Sequence, residues 1–265
     1  MDAVHIKIIG IGKQGAALLS HPQMDSRLMD ICYILQRGKD RVDTSLRKHY
    51  IRIGKRASGY LLSRLDGTQV VLVVSGSSPQ DIRYAKTLCK VVRQLGALSI
   101  VFMGMEAASG QNSTIEHVCH HSDSCIVITK NRYQTDLIIQ GIRAVYELLF
   151  TPMYINVDYA DLCTVMKKQK HAFINVGHGY GENRCRDAVQ KAVHADHMEH
   201  KLSELSLAIV HIRGDATLTL REVQYIVQLL QEENGKDMDI IFGMVIDETL
   251  HDEVIVTILA AGNEA

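Results

Sequence analysis

Short apolar runs alternate with helical patterns along the first half of the chain. The runs that predict strands are VHIKIIG, DICYILQ, QVVLVVSG, ALSIVFMGM and SCIVITK. Between the third and fourth, the segment SPQDIRYAKTLCKVVRQLG predicts a helix, because its apolar residues recur at helical spacing and Gly96 suits its C-terminal end. Nearly continuous apolar strands joined by helices are typical of a parallel sheet covered on both faces. The first half is therefore predicted to be a Rossmann-like α/β domain.

The second half has a different order of elements. The apolar segment DLIIQGIRAVYELLF predicts a long helix that ends before Pro152. Beyond it, the predicted helices DLCTVMKKQ and NRCRDAVQKAVHA precede the strands SLAIVHIRG, MDIIFGMVID and EVIVTILAAG, and TLREVQYIVQLLQEENG predicts a helix between the strands. This less regular alternation indicates a smaller α+β domain. We divide the chain into an α/β domain over 1–132, a central helix over 133–150 and an α+β domain over 151–265.

Composition excludes several classes of protein. The 265 residues are 46% hydrophobic and 22% charged, and the formal net charge is -1, so no basic excess indicates binding to nucleic acid or to a membrane surface. The longest apolar runs have the length of strands, far short of the roughly 18–20 residues of a membrane span. The N-terminus lacks the features of a signal peptide. Six cysteines occur without a CxxC pair, and Cys32, Cys89, Cys163 and Cys185 lie in core patterns. We expect a cytoplasmic protein with buried, reduced thiols.

A Gly-rich turn follows the first predicted strand. The sequence 10-GIGKQG-15 places Gly10, Gly12 and Gly15 between a strand and a helix, which is the spacing of a dinucleotide- or phosphate-binding turn. Glycines let the backbone approach a phosphate, and the helix N-terminus favours an anion. The same glycines suit a tight turn with close helix–sheet packing, so both interpretations stay open. Gln36-Arg37 stand where an NAD-binding domain has an acidic residue, which disfavours NAD and leaves NADP as the remaining nicotinamide alternative.

Two histidine-rich segments, 117-HVCHHSDSC-125 and 194-HADHMEH-200, could suggest metal sites. Neither has a paired ligand set at a standard spacing. In the second segment the histidines lie at i, i+3 and i+6, and on a helix the side chains at i and i+6 point about 120° apart. We expect solvated polar surfaces there and no metal ion.

The stretch 154-YINVDYADLCTVM-166 places Asn156, Asp158 and Asp161 within six residues. Asp158 could cap the N-terminus of the following helix, and Asp161, near its third position, would favour the helix dipole. The three polar side chains could also form a hook that reaches another molecule. The two interpretations are compatible.

The second half of the chain resembles FtsZ, the bacterial homologue of tubulin. The segments INVDYADLCTVM, GHGYGENRCRDAVQKAV, GDATLTLREVQYIVQLLQ and DIIFGMVIDETLHDEVIVTILAAG follow the family's order and spacing, and GIGKQGAALL, IRIGK and RQLGALSIVFMGM fit it in the first half. The resemblance implies a GTPase-like domain, a central helix and a C-terminal domain, in subunits that stack head to tail. It also implies that Asn156, Asp158 and Asp161 form the synergy loop, which completes the GTPase site of the neighbouring subunit.

The nucleotide loops depart from the family's pattern. Where the family has the phosphate loop GGGTGTG, this chain reads 75-SGSSPQDIR-83, in which only Gly76 survives. Pro79 removes a backbone donor, and Asp81 places a negative charge where phosphates should lie. Lys13, Gln14, Ala16 and Ala17 replace further glycines and an Asn of the first loop, and the loop that touches the terminal phosphate is missing. A charge-assisted hydrogen bond contributes about 1.5–3 kcal/mol, so losing three donors would weaken nucleotide binding by about three to six orders of magnitude.

The resemblance and its departures together predict an FtsZ-like cytoskeletal protein that forms or regulates head-to-tail filaments without binding or hydrolysing GTP. Gly10, Gly12, Gly15 and Gly76 are then relics of a nucleotide site, and no catalytic residue and no cofactor are expected. The alternative is an active FtsZ-type GTPase with an altered phosphate loop that binds GTP and acts in cell division. The chain ends soon after its last predicted strand, so we expect no tail that tethers it to a membrane adaptor.

Two arrangements are open for the subunit contacts. In the first, the protein stacks on itself, and Ser77, Asp81 and Arg83 replace nucleotide-bridged contacts with direct ones. Asp81 would then lie near Asp158 or Asp161 of the neighbour, and Lys13, Arg83 or a cation would have to separate the like charges. In the second, the synergy loop docks on the nucleotide end of an ordinary FtsZ filament, and the remodelled loops stop growth. Self-stacking is the favoured arrangement.

Overall fold

The structure is a computed structural model that describes residues 4–24, 29–35, 50–51, 57–105, 112–129, 133–151, 155–194, 207–234 and 238–261. The chain divides into two compact units, which comprise Met1–Ile139 and Gln140–Ala265. Within each unit the strands pair with one another. The predicted combination of a Rossmann-like parallel domain, a long helix and a smaller α+β domain is confirmed.

The first unit alternates strands and helices. Its elements are β1 (Ile6–Ile11), α1 (Gly12–Leu19), β2 (Ile31–Ile34), β3 (Tyr50–Ile51), α2 (Ala57–Leu65), β4 (Val70–Gly76), α3 (Pro79–Gln94), β5 (Leu98–Met105), α4 (Asn112–Cys119) and β6 (Ser124–Thr129). The helix α5 (Gln134–Phe150) follows and continues into the second unit.

The sheet of the first unit is parallel throughout, in the order β3-β2-β1-β4-β5-β6. All seven residues of β4 are buried, as expected for a strand covered on both faces. The chain passes outward from β1 to β2 and β3 and then returns to place β4 on the other side of β1. Strand order therefore reverses between β1 and β4, and in open α/β sheets ligands bind at the carboxyl ends of the strands beside such a point.

The helix α3 has a defined start and end. Ser78 is its N-cap and accepts a hydrogen bond from the backbone N–H of Asp81, and Pro79 occupies the first helical position. At the other end, Gly96 has φ of 71°. The N–H of Gly96 donates to the carbonyl of Arg93, and the N–H of Ala97 donates to that of Val92. This is a Schellman motif, so Gly96 ends the helix as the sequence predicted.

The second unit has mixed strand directions. Its elements after α5 are α6 (Tyr159–Met166), β7 (Lys170–Tyr180), a 3-10 turn (Gly181–Asn183), α7 (Arg184–Val193), β8 (Leu207–Gly214), α8 (Leu220–Asn234), β9 (Asp239–Ile246) and β10 (Glu253–Ala261). The strand order is β7-β10-β8-β9, and β10 runs antiparallel to β7 and β8. Apolar residues of α7 and α8 pack with those of β8 and β10 to form the core.

Three elements were not predicted from the sequence. These are the two-residue strand β3, the helix α4 and the eleven-residue strand β7. The sequence of β7, KHAFINVGHGY, interrupts its apolar residues with histidine, asparagine and glycine. Gly177 is required because α7 packs closely on this strand, and a β-carbon there would lie 2.6 Å from the backbone nitrogen of Ala192. Close packing thus explains why β7 lacks a simple apolar pattern.

Charged and polar side chains are buried where the C-terminal part of α5 meets β8 and β9. Arg143 forms an ion pair of 2.9 Å with Glu147, and Glu147 also lies 3.3 Å from Nε2 of His211. On β8, Arg213 pairs with Asp247 and donates to Oε1 of Gln140. Burial, with the positive charges of Arg213 and Arg143, lowers the pKa of His211 to about 3. His211 is therefore neutral at physiological pH.

Candidate functional site

The glycine turn after β1 brings strand and helix into close contact. A β-carbon added at Gly10 would lie 2.9 Å from the carbonyl oxygen of Gly15, and one at Gly15 would lie 3.0 Å from the carbonyl carbon of Gly10. Gly12, the first residue of α1, has φ of 67°, a conformation that L side chains rarely adopt. The packing interpretation of Gly10 and Gly15 is therefore correct.

The segment after β4 is organised around the start of α3. Ser77 is buried, while Ser78 is exposed. Oγ of Ser78 accepts from the N–H of Asp81 at 3.1 Å and donates to Oδ2 of Asp81 at 2.7 Å. Two residues beyond Asp81, the exposed Arg83 donates to the side chain of Gln80. Asp81 is thus held toward the first turn of α3.

The Asp81 carboxylate extends from α3 to the glycine turn. A β-carbon added at Gly12 would lie 2.7 Å from Cγ and 2.9 Å from Oδ2 of Asp81. One added at Gly76 would lie 3.3 Å from the same Oδ2. Asp81 therefore packs against Gly12 and lies close to Gly76, two of the four glycines that the sequence assigned to a nucleotide site. The sequence predicted a negative charge in this region, and the structure shows that the Asp81 carboxylate lies against Gly12.

Two glutamine side chains cover the neighbouring strand ends. A β-carbon at Gly76 would lie 2.5 Å from Oε1 of Gln14, and one at Gly104 would lie 2.5 Å from its Nε2. Gln134, the first residue of α5, lies 3.2 Å from the same point at Gly104. Its Nε2 donates to the carbonyls of Met105 and Ile128. The ends of β4 and β5 are therefore covered by side chains of the same chain.

Sequence reasoning missed Gly104 and Gln134. Gly104 lies near the end of a strand that pairs with β4, and its register partner is Gly76. Gln134 comes soon after β6 along the chain. Because the carboxyl ends of parallel strands lie at one edge, these positions could have been proposed once the strands were aligned. The register of β4 against β5 was the information that the sequence lacked.

Positive potential converges on Asp81 from two helices. The chain enters α1 from Ile11, whose side chain has no group that could cap the helix, and the first-turn N–H groups of α1 begin at Gly12. Asp81 lies in the first turn of α3 and contacts the first residue of α1. Helix N-termini favour negative charge. Beside Asp81, Lys13 and Arg83 are exposed cations at this edge.

The acidic stretch of the second unit is built as a helix cap. Asp158 is the N-cap of α6 and accepts from the N–H of Asp161 at 2.8 Å, and Oδ2 of Asp161 accepts from the N–H of Asp158 at 3.0 Å. This is a capping box, so the capping interpretation is confirmed. Asn156 and Asp158 are exposed, and the buried Val157 anchors the loop between them. Capping uses one oxygen of each carboxylate, and the loop can still present negative charge outward.

The histidine- and cysteine-rich segments show no metal-binding arrangement within the residues that the structure describes. Of 117–125, His117 and His120 are exposed, whereas Cys119 and Cys125 are buried. In the other segment only His194 is described. A hydrogen bond with Cys119 and burial raise the pKa of Cys125, and burial raises that of Cys89 to about 12. Of the four thiols expected in the core, Cys32, Cys89 and Cys185 are buried, and Cys163 is half-buried.

None of the described helices combines the length and apolar character that a membrane crossing requires.

Two sequence comparisons find similarity to FtsZ. Residues 170–264 match the FtsZ family, C-terminal domain. The chain is 27% identical over 237 residues to a cell division protein FtsZ from Mycoplasmopsis pulmonis, and this match covers 79% of the chain. It spans 61% of the length of that relative.

Solved structures share the fold over nearly the whole chain. A mutant FtsZ from M. jannaschii superposes with a TM-score of 0.81 at 19% identity, covering 98% of this chain and 92% of that one. The CetZ2 protofilament from Haloferax volcanii, solved with GTPγS bound, superposes with a TM-score of 0.69 at 17% identity, covering 98% and 94%. At these identities the superpositions establish the fold alone.

Proposed function

We propose that the chain is an FtsZ-like cytoskeletal protein whose subunits associate head to tail without binding or hydrolysing GTP. The observation that carries this proposal is the Asp81 carboxylate against Gly12. That glycine belongs to the loop that the resemblance to FtsZ assigns to phosphate. A phosphate group there would meet a negative charge at contact distance, which is strongly unfavourable.

The surroundings of Asp81 support the same conclusion. Gln14 lies against Gly76 and Gly104, so the ends of β4 and β5 are covered as well. Pro79 has no N–H to donate at the first position of α3. A nucleotide would have to displace Asp81 and Gln14 and would find fewer backbone donors once they had moved.

Charge complementarity supports self-association. The Asp81 carboxylate is turned toward Gly12 and Ser78, and among the described residues near it Lys13 and Arg83 carry exposed positive charges. The loop with Asn156, Asp158 and Asp161 is acidic. A head-to-tail contact would bring the acidic loop of one subunit to the cationic edge of the next. The like-charge conflict between Asp81 and the acidic loop is thereby reduced.

Titration of the purified protein with GTP tests the first part of the proposal. Calorimetry should give no dissociation constant in the micromolar range or below, and sedimentation should yield the same amount of polymer with GTP, with GDP and without nucleotide. Micromolar GTP binding, or a polymer that needs GTP, would instead support the active GTPase, which is the alternative. That alternative draws on the retained Gly12 turn.

A second arrangement is favoured by the contrast between the acidic loop and the altered phosphate loop. The acidic loop could dock on the nucleotide end of an ordinary FtsZ filament, with the altered loops preventing further growth. Mixing the protein with a GTP-hydrolysing FtsZ separates the two arrangements under electron microscopy. Shortened FtsZ filaments support the capping arrangement, and separate polymers of this protein alone support self-stacking.

A further inference from the structure

We propose that the Asp81 side chain is a built-in ligand of the Gly12 turn, so that its removal converts a self-occupied turn into a binding site for phosphate groups. The inference rests on the proposed function for its premise that the unmodified protein binds no nucleotide. It adds the cause at the Gly12 turn, which is the Asp81 carboxylate, and it predicts what the backbone of that turn does once the carboxylate is removed.

The first argument is geometric. The Asp81 carboxylate lies against Gly12, where an added β-carbon would be 2.7 Å from Cγ of Asp81, and its Oδ2 would be 3.3 Å from a β-carbon added at Gly76. Gly12 has no side chain, so its backbone can accommodate a group of the size of a carboxylate or a phosphate, whereas Gly76 is also covered by Gln14. In this chain that group is supplied from the third residue of α3. The turn is therefore filled by the chain itself.

The second argument is electrostatic. The first turn of α1 has no side-chain cap from Ile11, and the carboxylate that approaches it comes from α3. The same carboxylate accepts a hydrogen bond from Ser78 within the first turn of α3. Asp81 thus lies at the N-termini of two helices, where negative charge is stabilised. A field that holds one anion in place will attract another when the first is removed.

The third argument is that the rest of the turn does not depend on Asp81. Gly10 and Gly15 fix the approach of β1 to α1 through backbone packing. Gln134 is held by two backbone carbonyls, those of Met105 and Ile128. Ser78 still caps α3 from outside the helix. Replacement of Asp81 by a smaller residue should leave this framework in place.

The test compares binding of inorganic pyrophosphate, at fixed ionic strength, to four full-length proteins: the unmodified chain, Asp81→Ala, Asp81→Asn and Asp136→Asn. Asp136 is the matched control because it is the third residue of α5 in the same unit, as Asp81 is of α3. Calorimetry should show Asp81→Ala binding at least about tenfold more tightly than the unmodified chain. Asp81→Asn should be intermediate, since the amide keeps the volume without the charge. Asp136→Asn should match the unmodified chain.

The inference is overturned if folded Asp81→Ala binds pyrophosphate no more tightly than the unmodified chain, or if Asp136→Asn gains as much. Circular dichroism establishes folding, and if Asp81→Ala does not fold, Asp81→Asn decides by the same comparison. Sedimentation of the unmodified protein without nucleotide tests the proposed function separately. Failure to assemble there would refute the filament proposal and leave the pyrophosphate result standing.

Discussion

Single residues of this protein serve two purposes at once, and substitutions can separate them. Asp158 caps α6 and is also an exposed charge in the acidic loop. Alanine removes both properties, whereas asparagine keeps a side-chain oxygen that can cap the helix and removes only the charge. The pair of variants therefore distinguishes a helix cap from a contact with a neighbouring subunit.

We expect Asp158→Ala to lower the free energy of unfolding by about 1 kcal/mol, through loss of the cap, and Asp158→Asn to leave it nearly unchanged. Both should weaken assembly if the charge faces a neighbouring subunit. Denaturant unfolding and sedimentation measure the two effects. If Asp158→Asn assembles like the unmodified protein, the acidic loop is only a helix cap.

His211 makes stability depend on pH. Its pKa is lowered to about 3 in the folded protein, from 6.5 when exposed, so below pH 6.5 the unfolded chain binds a proton that the folded one does not. Stability should fall as pH decreases from 6.5 toward 5, at a rate approaching about 1.4 kcal/mol per pH unit. Asp215 and Asp247, whose pKa values are lowered to about 2, contribute only at lower pH.

The matched variant for this pH effect is His211→Gln, which keeps a polar side chain beside Glu147 and Arg213 without a titrating ring. Chemical denaturation between pH 7 and pH 5 should show a shallower loss of stability in this variant than in the unmodified protein. Equal slopes for the two proteins would mean that His211 is not the group that takes up the proton.

At the scale of elements, two glycines offer a controlled comparison. Gly96 ends α3 with φ of 71°, and Gly59 lies inside α2. Neither has an atom within 4 Å of an added β-carbon, so packing does not enter. Gly96→Ala should destabilise the protein by about 1–2 kcal/mol through backbone strain. Gly59→Ala should stabilise it by about 0.5–1 kcal/mol.

Thermal and denaturant unfolding of the two alanine variants would check the signs. Opposite signs are the essential result, because both substitutions add the same methyl group to an open surface. If Gly96→Ala stabilised the protein, the Schellman end of α3 would not be a determinant of the fold.

At the scale of the whole molecule, the proposed filament depends on charges in both units. Lys13→Glu with Arg83→Glu should raise the concentration needed for assembly at least about twofold, because exposed ion pairs contribute about 0.2–1 kcal/mol each. Added salt should weaken assembly of the unmodified protein for the same reason. Lys90→Glu, a change at an exposed position of α3 farther from Gly12, is the control. Assembly that is insensitive to Lys13 and Arg83 but sensitive to Lys90 would contradict this assignment.

Much of the fold was determined by sequence pattern. Apolar runs predicted β1, β2, β4, β5, β6, β8, β9 and β10, and the resemblance to FtsZ is confirmed by the match over residues 170–264. Capping by Asp158 and termination at Gly96 were also predicted, because both depend on residues close together in the chain. The strand β7 was not predicted because close packing of α7 requires its glycines. The strand therefore lacks a simple alternation of apolar and polar residues.

The tertiary structure decided what the altered phosphate loop does. The sequence by itself showed that Asp81 and Gln14 replace the family's residues, but it could not show where their side chains point. Only the pairing of β1 with β4 and of β4 with β5 brings Gly12, Gly76 and Gly104 to one edge. Residues far apart in the chain then come together. Asp81 lies against Gly12, and the side chains of Gln14 and Gln134 both lie over Gly104. Local patterns follow from short-range geometry, whereas this arrangement depends on strand register, which the sequence alone did not reveal.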